Sequence, residues 1–163
     1  MQLPPFEGMH PLVVHFPIAF LLTVWIPAFV VLINRKHRFQ WMLVTLLWYA
    51  IGVVGVFAGV LTGEAAEGII VSTSEVMKQA VREHEEAGEF VRTIMVIGFV
   101  VFAGLTAWVG IKKPKTPIIV VGAVLSLLIY GFGASVLVEA AHQGGELVHT
   151  HGIHAPLGTP MAD

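Results

Sequence analysis

The chain has 163 residues, of which 56% are hydrophobic and only 12% charged, with a net charge of -2 and a mean hydropathy of +0.81. These values lie outside the range of soluble domains and define an integral membrane protein, and nothing in the charge points to nucleic acid. The absence of cysteine excludes disulfides, iron–sulfur clusters, thiolate-ligated zinc, a c-type haem attachment site and a cysteine nucleophile, so a metal or haem has only His, Met or carboxylate to bind it.

Four apolar stretches are long enough to cross about 30 Å of hydrocarbon as helices: residues 11–33, 41–61, 94–111 and 117–141. The expected fold is all-α, a single transmembrane four-helix domain over residues 1–163. The first span has no preceding Lys or Arg and no small-residue cleavage signature after it, which reads as a retained helix rather than a signal peptide. Pro11 suits a first helical turn, placing His10 at the helix start. His15 lies about 140° around that helix from His10, so the two are expected to serve different partners. Pro17 and Pro27 predict kinks used for packing.

Arg35, Lys36 and Arg38 follow span one, and Lys112, Lys113 and Lys115 follow span three. The positive-inside rule assigns both short loops to the cytoplasm, and both termini and the long central segment to the outer face of a bacterial inner membrane. In span two, Gly55, Gly59 and Gly63 form consecutive GxxxG steps, with Gly52 nearby, a stripe that lets a backbone or a flat cofactor approach closely. Between Glu64 and Arg92, Ser72 with Glu75 is a weak capping-box match. From there Val76, Ala80, His84, Ala87 and Val91 recur at helical spacing, predicting a helix from about 74 to 92 that projects outward and runs on into span three. After span four, the paired Gly144 and Gly145 are expected to break the helix and let the tail fold back. His142, His149, His151 and His154, four histidines in thirteen residues, resemble a metal-binding tract by composition.

Seven of the eight histidines therefore share one side of the membrane with every carboxylate, and only His37 sits in a basic loop. Counted at about 1.5 Å per residue, His10, His84 and His142 come out roughly 35–40 Å above the cytoplasmic ends of their spans and His15 near 27 Å. Ionisable groups converging at a bilayer edge mark a site.

The strings HPLVVHFPIAF at 10–20 and GGELVHTHG at 144–152 resemble the bacterial four-span family known as domain of unknown function 2231, over essentially the whole chain. The resemblance maps that family's histidines onto His10, His15, His84 and His151 and implies electron-transfer or cytochrome-type partners, without an established activity. This tail departs from the pattern in carrying His149 and His154.

These readings favour an outward-facing b-type haem protein, with one or two haems held by His10, His15, His84 and His151. The expected pairs are His84 with His10 or His15, and the other span-one histidine with a tail histidine. Phe16, Phe20, Trp25 and Phe90 are candidate walls for the macrocycle, and Glu139 a candidate acceptor for a free ring nitrogen. The alternative is a zinc, copper or non-haem iron site drawing on His142, His149 and Glu146, with Glu64 or Glu67 as further carboxylates; a membrane anchor subunit is a third reading. Expected partners are lipid, a periplasmic c-type cytochrome or a quinol, with homo-oligomerisation or membership of a larger redox complex possible. No nucleophile–base pair, phosphate loop or dinucleotide fingerprint supports catalysis by the chain alone, and the span interiors hold no acid, Lys, Arg or deep His for a proton or ion relay.

Overall fold

The computed structural model describes residues 5–68 and 74–153. Within them the chain is helical, and four helices are long and apolar enough to cross a membrane. A short 3-10 turn, Phe6–Gly8, leads into the first span, which comprises three segments: α1 His10–Val13, α2 His15–Thr23 and α3 Trp25–Ile33. The breaks at Val14 and Val24 fall in the turns just before Pro17 and Pro27, where each proline removes one helical N–H and crowds the preceding turn. Thr23 fills part of the second gap by donating its hydroxyl to the Ala19 carbonyl at 2.7 Å, and it accepts a hydrogen bond from Trp48 Nε1 at 2.9 Å. The kinks expected from the prolines are present and serve packing.

The remaining spans are α4 Arg38–Glu67, α5 Glu75–Lys112 and α6 Thr116–His149. At 38 residues, α5 is about 57 Å long, so nearly half of it projects beyond a 30 Å hydrocarbon layer. The expected helix start near Ser74 is observed, whereas Ser72 of the capping-box match lies outside the described residues. On the projecting half, Ala80, Val81, Ala87 and Val91 are buried or half-buried, but Val76 is exposed because the first turn outruns its neighbours. Exposed pairs Lys78–Glu75, Arg82–Glu86 and Arg92–Glu89 coat the other face and add little stability.

The four spans form a ring: the first packs on α4, α4 on α5, α5 on α6, and α2 and α3 close the circuit against α6. Both basic loops lie at one end and the histidine-bearing segments at the other. Glycine rows set the spacing. The α4 stripe Gly52, Gly55, Gly59 and Gly63 receives Leu21, Pro17, Val14 and His10 in turn, so the stripe is the track on which span one lies. On α6, Gly122, Gly133 and Gly144 recur every eleven residues, three helical turns, and receive Leu105, Met95 and His84 of α5. A histidine is thus the last knob in both rows.

Gly144 and Gly145 do not break α6, which continues to His149; this corrects the expected fold-back. Gly144 gives close helix approach instead, and the stop comes later, at Gly152 (φ +68°), where the Ile153 N–H reaches the Leu147 carbonyl at 2.9 Å.

Two apolar clusters fill the interior. Leu21, Tyr49, Val91, Met95 and Leu137 centre the one toward the histidine end, and Val31, Met42, Phe102, Val109 and Ala123 the one toward the basic end. Most other large apolar side chains face outward, as lipid contact requires.

Candidate functional site

The histidine end is built from α1, α4, α5 and α6. His10 enters from the first turn of span one, whose position is fixed by the glycine track. Its ring lies against Gly63, where a Cβ would stand 3.1 Å from Cε1. Its Nδ1–H donates to the Gly59 carbonyl at 2.9 Å, with Thr62 Oγ1 at 3.2 Å. Thr62 in turn donates its hydroxyl to the backbone of the preceding turn. This arrangement fixes the tautomer of a neutral ring and leaves the Nε2 lone pair free.

His84 approaches from the projecting half of α5 and lies against Gly144, where a Cβ would stand 3.0 Å from its Cε1. The two rings meet across the ring of helices with centroids 6.1 Å apart and planes at 77°. No Cα of α1 comes within 8 Å of α5, so the side chains alone span the distance. Nor does the α1 backbone approach α6, whereas α2 and α3 do. Buried His84 Nδ1 has no hydrogen-bond partner of proper geometry, and neither has the buried Gln143 Oε1, one residue from the glycine that seats His84. The backbone neighbour of His84 is the Ala140 carbonyl, one turn before Gly144, in a looser geometry than the His10–Gly59 bond.

The other expected site residues are placed differently. His15 is exposed on the far side of span one and bonds back to the Pro11 carbonyl of its own helix, consistent with its predicted angular separation from His10. His142 is exposed and pairs with Glu146 at 3.6 Å, one turn away on α6. His149 is exposed at the end of α6, His151 is half-buried just beyond it, and His154 lies outside the described residues. Among the described residues no hydrogen bond, ion pair or ring contact joins His15 to His142, His149 or His151. Among the same residues no three His, Asp or Glu side chains converge as a mononuclear metal site requires.

The aromatic residues expected to wall a macrocycle do not do so. Phe16, Trp25 and Phe90 are exposed on the outer surface of the bundle, Phe90 against Phe132, and Phe20 stacks on Trp48. Glu139 is also exposed. Lipid-facing burial explains these side chains, since an apolar ring gains as much from hydrocarbon as from a protein interior.

Sequence reasoning identified the α4 glycine stripe but missed the α6 row with its Gly144 seat, the Gly59 and Thr62 partners of His10, and Gln143. The eleven-residue spacing of Gly122, Gly133 and Gly144 was the available signal. Also missed was a tyrosine pair deep in the bundle: Tyr49 and Tyr130 stand edge to face with centroids 5.7 Å apart, Tyr49 donating to Met95 Sδ and Tyr130 to the Leu21 carbonyl. They link α4 to α5 and span one to α6 and act as interior ties.

Four membrane-crossing helices with an imidazole pair at one end and basic loops at the other define a multispan membrane protein. A family model described as "predicted membrane protein (DUF2231)" matches residues 7–156, and the chain belongs to that family. No curated protein and no solved structure matches it.

Proposed function

We propose that the chain is a membrane-bound b-type haem protein in which His10 and His84 are the axial ligands of one haem, and that it passes electrons between membrane and extracytoplasmic partners. The facing of these two rings carries the reading. Two imidazoles bound to one iron at about 2 Å each hold their centroids about 6 Å apart, and the observed separation is 6.1 Å with nearly perpendicular planes. His10 has the posture of an axial ligand, its Nδ1–H held by a carbonyl and its Nε2 free. The glycine at each imidazole keeps bulk away from the pair. A haem bound there supplies one-electron redox chemistry. The protein's own contributions would be the two imidazoles of His10 and His84 to hold the group and the Gly59 carbonyl, which raises the basicity of His10.

By the positive-inside rule the basic loops face the cytoplasm of a bacterial inner membrane, so the histidine end faces outward, toward a periplasmic c-type cytochrome or membrane quinol. A zinc, copper or non-haem iron site is the competing occupant and is separable by direct analysis.

The test is a reduced-minus-oxidised spectrum of detergent-purified protein, with pyridine haemochrome quantification and metal analysis on the same sample, for the native chain, His10→Ala and His84→Ala. About one haem per chain, lost in both variants, is expected. Haem retained undisturbed by His84→Ala would refute the pairing, and stoichiometric zinc, copper or iron without haem would replace it with a metal site.

A further inference from the structure

At the basic end the α3–α4 and α5–α6 turns enclose a cavity of about 450 Å³ whose wall includes Arg35, Lys36, Arg38, Gln40, Lys113 and Thr116. All eleven acidic residues fall within positions 7, 64–89, 139–146 and 163, so no carboxylate belongs to the chain near either turn. The four ion pairs among the described residues all lie at the histidine end. Among the described residues, four cations therefore share one cavity without a counter-charge.

Arg38 makes the imbalance acute. It is only 7% exposed, and its described partners are neutral: Nε donates to the Val31 carbonyl at 2.8 Å and Nη2 to the Leu32 carbonyl at 3.3 Å. Those bonds close the last turn of α3 and satisfy its carbonyls, but a buried guanidinium without an anion is costly. Helices α4 and α6 begin at this cavity and α3 and α5 end there, so the helix dipoles offset one another and the cationic side chains set the positive potential.

We propose that this cavity binds the phosphate of an anionic phospholipid from the leaflet at the basic end. A headgroup rather than a soluble anion fits its location. The cavity lies where the apolar spans end, Phe39, Val109 and Ile119 form its apolar wall, and the strongly exposed Ile111 and Ile118 flank it on the surface where acyl chains run. Basic pockets between transmembrane helices are suited to such headgroups, with planar guanidinium groups and ammonium groups sharing the phosphate oxygens. The proposal is independent of the haem reading and uses none of its residues.

The test uses delipidated full-length protein in a non-ionic detergent, titrated with phosphatidylglycerol and with phosphatidylcholine of the same acyl chains and followed by native mass spectrometry. A parallel titration with phosphatidylglycerol contains excess sodium phosphate. About a tenfold preference for phosphatidylglycerol is expected, undiminished by sodium phosphate. The triple variant Arg35→Ala, Lys36→Ala, Lys113→Ala, altering three exposed side chains, is expected to lose the preference while unfolding at the temperature of the native protein without lipid. Equal binding of the two lipids, or an unchanged preference in the triple variant, would overturn the proposal. Full displacement by sodium phosphate would reassign the cavity to a soluble phosphate.

Discussion

Alanine at Gly144 and at Gly145 should have opposite effects, although the residues are adjacent in one helix. Replacing an interior helical glycine by alanine favours the helix by about 1 kcal/mol. At Gly145 nothing lies within 4 Å of the new methyl, so the full gain is expected there. At Gly144 the methyl would stand 3.0 Å from His84 Cε1 and 3.4 Å from Nε2. Carbon contacts prefer about 3.5–4.0 Å, so the ring must yield by about 0.5 Å. It cannot simply retreat, because the His10 ring faces it. Overpacking of this kind costs about 1–3 kcal/mol, leaving Gly144→Ala neutral to about 2 kcal/mol destabilised after the helix gain. Equilibrium unfolding in mixed detergent measures both variants, and His84→Ala with Gly144→Ala completes a double-mutant cycle. The cycle should recover the overpacking cost as a coupling of about 1–3 kcal/mol, because alanine at 84 leaves nothing for the methyl to strike. Equal stability of the two single variants, or additivity in the cycle, would refute the seating of His84 on Gly144.

Tyr130→Phe removes the hydroxyl donated to the Leu21 carbonyl, which ties span one to α6, and should destabilise the bundle by about 1 kcal/mol in the same unfolding assay; an unchanged midpoint would count against the tie. His15→Ala alters an exposed ring whose described bond is to its own helix, so haem stoichiometry and spectrum should match those of the native protein, whereas a loss comparable to that in His84→Ala would return His15 to the ligand set.

The spans, the kinks and the outward run of α5 were legible because each follows from local chemistry: apolar length, proline's missing donor and helical spacing between Ala80 and Val91. The height estimate also placed His10 and His84 at a common level, and they meet. It placed His142 there too, yet His142 is turned to solvent beside Glu146, because axial rise fixes height and not the direction a side chain takes. The paired glycines misled for a related reason. A glycine costs a helix about 1 kcal/mol locally, but Gly144 is retained inside α6 by a partner sixty residues away, which no local rule contains. Phe16, Trp25 and Phe90 lie on the lipid-facing surface, and sequence could not separate that from a cofactor wall, because phenylalanine facing lipid and phenylalanine facing a cofactor follow the same pattern.

The two glycine tracks make the molecule the same plan executed twice. In each half a helix begins at the histidine end, a basic turn follows, and a second helix returns, carrying glycines that end beneath the imidazole of the first. Exchanging the halves corresponds to a half-turn about an axis along the membrane normal, and the two rings, reaching inward from diagonally opposite helices, meet near that axis. A guest held between them is gripped by equivalent elements from opposite sides, so neither half alone forms a binding place. The equivalence extends to the backbone: His10 Nδ1 donates to the Gly59 carbonyl, one turn before the Gly63 seat, and the Ala140 carbonyl, one turn before the Gly144 seat, is the backbone neighbour of His84, though in a looser geometry.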